Sequence, residues 1–173
     1  MSTAPKTPTA AKTTAAKSAS VLFVSLVSRD DKPLYIQSFE GAENAHALPQ
    51  HAGQFLKYNF LSHMALDVFA SPMSLHLREQ QEDHDGVLLL FIQDDVYVYG
   101  METNNGLKVV VGASNEIGAR PALRLLFLRI HRAYLKTVCN PFTDVSSAGD
   151  CEQMLHTPAF ERRMHALVGD WEK

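Results

Sequence analysis

The chain predicts an α+β domain: a five-stranded antiparallel sheet with helices, in the order β-β-α-β-β-β-α-α. Three observations predict it. Short runs rich in β-branched and aromatic residues are separated by clusters of turn residues, as antiparallel strands require. Two longer stretches repeat their apolar residues at i, i+3, i+4 and i+7, the period of a helix laid on a core. Five strands in two antiparallel blocks joined by a helix then make a layered α+β fold.

The elements follow in order. VLFVSLVS (Val21 to Ser28) reads as the first strand, closed by the turn cluster Arg29-Asp30-Asp31-Lys32-Pro33, and LYIQS (Leu34 to Ser38) as its hairpin partner. A polar stretch, Phe39 to His51, leads to a helix on which Phe55, Tyr58, Leu61, Ala65 and Val68 share a face, edged by Leu56, Met64 and Phe69. Ser71 to Asp85 reads as a loop. Three strands follow: VLLLFIQ (Val87 to Gln93), VYVYGMET (Val96 to Thr103) and LKVVVGA (Leu107 to Ala113). Asp94-Asp95 joins the first two. Asn104-Asn105-Gly106 joins the last two, and Asn-Gly there predicts a two-residue turn with positive φ at both central positions. Val21–Ser28 and Val87–Gln93 are apolar on nearly every residue, where a strand covered on one face alternates. Either the helices cover more of the sheet than usual, or a partner covers part of it.

The long helix runs from about Gly118–Arg120 to Cys139, with Pro121 in its first turn and Asn140-Pro141 ending it. Leu123, Leu126, Phe127, Ile130, Ala133, Tyr134 and Val138 fall on one arc, the buried one. Arg129, Arg132 and Lys136 cluster opposite, with Leu125 and Leu128 set among them. Leucines in a basic outer face suit a second docking surface better than bare water. After a Ser/Gly/Asp loop, Thr157 caps a last helix with Pro158 at its first position, carrying Phe160, Met164, Leu167 and Val168 inward.

Composition narrows the function. The 173 residues suffice for one domain, placed at 21–170, with a core that needs no disulfide or metal. Residues 1–20 hold no aromatic and no acidic residue, and are read as a disordered tail rather than a transit peptide, since they lack arginine and an apolar face. A net charge of −3 gives no reason to expect nucleic acid or anionic lipid as the main partner. The longest uninterrupted apolar run, Val87 to Ile92, is strand length, so no membrane insertion is expected. Cys139 and Cys151 lack metal-ligand spacing and read as reduced thiols of a cytoplasmic protein, Cys139 as a small buried hydrophobe.

Catalytic patterns are missing. There is no Gly-rich phosphate loop, no H-E-x-x-H and no G-x-S-x-G, and the eight histidines are scattered. Glu82-Asp83-His84-Asp85 offers the most oxygen ligands, but its spacing is not that of a calcium loop, and a solvated acidic run is the plainer reading. No enzyme and no cofactor is expected. Asp67 stands out instead. An acid near a helix C-terminus is electrostatically disfavoured without a partner, so it reads as an interface carboxylate against the plain alternative of a solvent-facing residue.

Local sequences resemble the sedlin family within the longin, or SNARE-like, fold. They are Lys32-Pro33-Leu34-Tyr35-Ile36, Leu66-Asp67-Val68-Phe69, Val98-Tyr99-Gly100 with Thr103-Asn104, Leu107-Lys108-Val109-Val110, Val138-Cys139-Asn140-Pro141-Phe142 and Ala159-Phe160. Leu56-Lys57-Tyr58-Asn59 is similar to the helix start of a fungal form. The resemblance spans Val21 to about Val168; the tail and the loops at Phe39–His51 and Ser71–Asp85 depart from it. It implies a non-enzymatic small adaptor subunit of the TRAPP tethering complex, a Rab exchange factor in ER–Golgi and intra-Golgi transport. Other small longin-like subunits and large adaptor subunits would be direct partners, Rab GTPases indirect ones, and the location peripheral on Golgi membranes. It also implies that Asp67 matches the family's partner-binding aspartate. The residue pattern adds Leu125, Leu128, Arg129 and Arg132. The alternative is a free-standing longin module binding a SNARE or coat component, which would call for heptads after the domain.

Overall fold

A computed structural model describes residues 19–39, 48–72, 74, 76, 86–117, 120–141 and 150–171. The proposed tail up to residue 18, the Glu82–Asp85 run and most of the three long loops lie outside them. Five strands, β1 (Val21–Val27), β2 (Pro33–Ser38), β3 (Val87–Gln93), β4 (Val96–Glu102) and β5 (Lys108–Ala113), form one antiparallel sheet in the order β2-β1-β5-β4-β3. The helices are α1 (Leu48–Ala70), α2 (Arg120–Val138), α3 (Asp150–Leu155) and α4 (Pro158–Trp171). This is the α+β architecture that the sequence predicts, with α3 added where a loop was expected.

Helices cover both faces of the sheet, which explains the uniformly apolar β1 but not β3. On one side Tyr58, Leu61, Ala65 and Phe69 of α1 join Leu22, Phe23, Val96, Val98 and Val110. On the other, Leu123, Leu126, Phe127, Ile130 and Ala133 of α2 pack with Leu155, Phe160, Met164 and Val168 onto Val24, Leu26, Tyr99, Val109 and Val111. Interior strand β1 is buried at all seven positions. Edge strand β3 is buried only at its start, and Ile92 is 54% exposed. Among the described residues no strand pairs with its outer edge.

Glycine lets α1 sit close. A Cβ on Gly112 would overlap the Phe23 ring, which stacks on Tyr58 of α1 at 4.9 Å between centroids. A Cβ on Gly100 would lie 2.5 Å from Phe69. Ser25 and Ser62 share a 2.7 Å hydroxyl hydrogen bond across the same layer, so neither buried oxygen lacks a partner.

Four expectations are corrected. The Asn104-Asn105-Gly106 connection is not a two-residue turn with paired positive φ. The Gly106 N–H bonds to Thr103 O at 2.8 Å and only Gly106 is left-handed, which is a type I turn followed by a bulge. The paired left-handed residues are Asp94 and Asp95, at φ 49° and 59°. Phe55 is exposed rather than buried, because the α1 arc centres on Tyr58, Ala65 and Phe69, and Phe55 lies beside that arc. Cys139 is an exposed free thiol, since it follows α2 on the side away from the Ile130 arc. The stretch after α1 is not all loop, for Pro72, Ser74 and His76 are helical.

The two sheet hairpins beside each other are built alike. Ser28 accepts the Lys32 N–H through its Oγ at 3.1 Å, and Thr103 accepts the Leu107 N–H through its Oγ1 at 3.1 Å. Asp31, at φ 59°, takes the left-handed position that Gly106 takes in the other. Lys108 donates to Asp31 between them.

Candidate functional site

Two outer helix faces carry the candidate residues. On α1 the core arc leaves Leu56, Phe60, His63 and Asp67, spaced by four, three and four, on one outward stripe. Leu56 is 72% exposed and Phe60 58%. Towards the end of α1, Phe60, His63, Met64, Leu66 and Asp67 line a shallow concavity with Asp31 from the β1–β2 turn. Two carboxylates and an apolar floor therefore meet there. Asp31 is held by Lys108, whereas no cation among the described residues pairs with Asp67. The last turn of α1 has no basic residue to offset the negative end of its dipole. A partner cation placed there would relieve both.

The second face is on α2. Leu125 and Leu128 are 47% and 45% exposed, and Arg129, Arg132 and Lys136 are exposed beside them. Burial lowers the pKa of His131, so at neutral pH the charge of this face comes from arginine and lysine. Antiparallel α4 flanks it: Trp171 Nε1 donates to Ala122 O at 3.3 Å at one end. At the other end Lys136 and Arg163 line a groove with Thr137, Asn140, Thr157 and Phe160. Thr157 caps α4 as expected, accepting the Phe160 N–H at 3.4 Å.

The structure does not bring the candidate residues together. Asp67 lies on the α1 layer, and Leu125, Leu128, Arg129 and Arg132 lie on the α2 layer, with the sheet between. Phe60 is absent from the sequence pattern, and Leu56 and Asp31 enter it only as a helix-edge residue and a turn residue. Stepping back from Asp67 by seven and eleven residues would have found the first two. Nothing local marks Asp31, which the fold brings in.

Among the described residues no group of three or more His, Cys, Asp or Glu could hold a metal, and no helix is long and apolar enough to cross a membrane. These surfaces can bind a protein.

A family model described as Sedlin matches residues 26–170, from β1 to the end of α4. The chain belongs to the sedlin family. Its sedlin relatives include the trafficking protein particle complex subunit 2-like protein of Taeniopygia guttata, 30% identical over 150 residues, 84% of this chain and 94% of that one. The protein of the same name from Bos taurus is 33% identical over 124 residues, 69% of this chain and 80% of its own. The TRAPP-associated protein TCA17 of Saccharomyces cerevisiae is 32% identical over 126 residues, 69% and 77%. The sedlin match thus takes in both candidate faces.

Proposed function

We propose that this sedlin-family chain is a non-catalytic adaptor subunit of the TRAPP tethering complex, linking small longin-like subunits to large ones in ER–Golgi and intra-Golgi transport. Its relatives are named for that complex. The observation that carries the adaptor role is the pair of outer faces, on opposite sides of one sheet, each mixing exposed apolar and charged side chains. Such patches mark protein contacts. Asp67 serves the α1 contact, and Leu125, Leu128, Arg129 and Arg132 serve the α2 contact. Rab GTPases are reached through the complex, and Golgi membranes likewise.

The test is affinity purification of the tagged chain from its own cells, with gel filtration and mass spectrometry. Co-elution with small and large TRAPP subunits in a high-mass peak supports the reading. A lone 19.2 kDa species sinks it and favours the free-standing module. Asp67→Tyr is expected to shift the melting free energy by no more than about 0.5 kcal/mol, as for an exposed site, while co-elution falls. Asp67→Tyr that unfolds the domain, or leaves assembly untouched, removes Asp67 from the contact.

A further inference from the structure

The α2 helix is basic in a chain that is acidic overall. It contains Arg120, Arg124, Arg129, Arg132 and Lys136 and no acid, leaving 11 of the 16 basic residues elsewhere against all 19 acids. A chain of net charge −3 thus sets a helix of +5 against a remainder of −8. Leu125, Leu128, Arg129, Arg132 and Lys136 follow one another by three, one, three and four residues along the outer face, roughly 16 Å of helix at 1.5 Å per residue. Arg163 of α4 extends the row across the groove it shares with Lys136. Among the described residues no carboxylate pairs with Arg129, Arg132, Lys136 or Arg163.

We infer that this face takes an acidic segment of a protein partner, with apolar residues seated on Leu125 and Leu128 and carboxylates on Arg129, Arg132, Lys136 and Arg163. The inference rests on the reading of α2 as a docking face and adds the chemistry of what docks. Charge complementarity selects an acid. Three features select a protein over an anionic bilayer. Three of the four cations are arginine, which forms bidentate pairs with carboxylates and is enriched at protein interfaces where lysine is depleted. The leucines share one angular stripe of the helix with Arg129, Arg132 and Lys136, whereas a helix lying on a bilayer sets its apolar and cationic residues on different faces. The groove under Lys136 and Arg163, about 250 Å³ with Phe160 in its lining, is concave and matches a side chain rather than a flat surface.

The test uses the full chain and two synthetic amphipathic helices of about 18 residues, or five turns. One carries leucine flanked by glutamate and the other leucine flanked by glutamine. Vesicles of phosphatidylcholine with roughly 30% phosphatidylserine present the anionic bilayer. The glutamate peptide is expected to bind at least about tenfold more tightly than the glutamine peptide, a 1.4 kcal/mol preference. Arg129→Glu with Arg132→Glu, folded by circular dichroism, abolishes that preference, and added salt weakens it. Equal binding of the two peptides, binding of neither, or binding of the vesicles alone overturns the inference. Assembly is followed in parallel. A chain that co-elutes with TRAPP subunits but shows no glutamate preference loses this inference alone. One that prefers glutamate but never co-elutes loses the subunit reading alone.

Discussion

Gly112 shows how a single residue sets a layer of this fold. Its missing Cβ leaves room for the Phe23 ring, and Phe23 in turn stacks on Tyr58, so the approach of α1 to the sheet depends on it. Alanine there has no space to occupy, because Phe23 is fully buried and cannot swing aside. Gly112→Ala is expected to cost about 1–3 kcal/mol, the range for overpacking a filled core, measured by urea denaturation. No loss would mean that α1 can lift without penalty. Ile130, fully buried on the inner face of α2, marks the contrast with its neighbours on the outer face. Ile130→Asp buries an unpaired charge and is expected to unfold the domain, whereas Leu125→Asp with Leu128→Asp leaves it folded, as circular dichroism would show. Unfolding by the double variant would place those leucines in the core.

At the level of elements, most of the architecture could be read in the chain because its signals are local. The α2 arc from Leu123 to Ala133 is periodic and unbroken, and structure and sequence agree on it residue by residue. Disagreement begins where tertiary contact decides. Phe55 belongs to the α1 pattern by spacing, but it lies beside the arc that meets the sheet. Asn105-Gly106 is the strongest hairpin dipeptide in the chain, yet Thr103 draws the loop into a longer turn by bonding the Leu107 N–H. The Asp94-Asp95 pair makes the tight turn instead. Helix α3 has only six residues and lies in a loop-like composition, too short for periodicity to show. Edge strand β3 is the element whose sequence most overstates its burial: Leu89 and Ile92 face outward on an edge that no described strand pairs with. Ile92→Lys is expected to leave the melting temperature nearly unchanged and to reduce self-association in light scattering, since charge on an open edge blocks strand addition. A large fall in melting temperature would show that Ile92 packs.

For the whole molecule, the sheet separates the two candidate faces. Substitutions on layers that share no side chain add independently. Combining Asp67→Tyr with the Leu125/Leu128 change is therefore expected to lower assembly by the product of the single effects, read from co-elution at matched concentrations. A combined effect equal to the larger single one would mean that both faces serve one contact. The candidate site was only half legible for the same geometric reason. Asp67 and the α2 stripe each show in a run of sequence, while their placement on opposite layers, and the arrival of Asp31 beside Asp67, exist only once the sheet forms. The segregation of charge bears also on the kinetics of encounter. An approaching acidic body is attracted by the basic outer face of α2, while the net negative charge of the remainder disfavours other approaches. Collisions that begin badly are turned away, and those that meet α2 first are prolonged. Orientation is thus selected before any contact forms, and the rate of productive encounter should rise steeply as ionic strength falls, even though the two bodies carry net charge of the same sign.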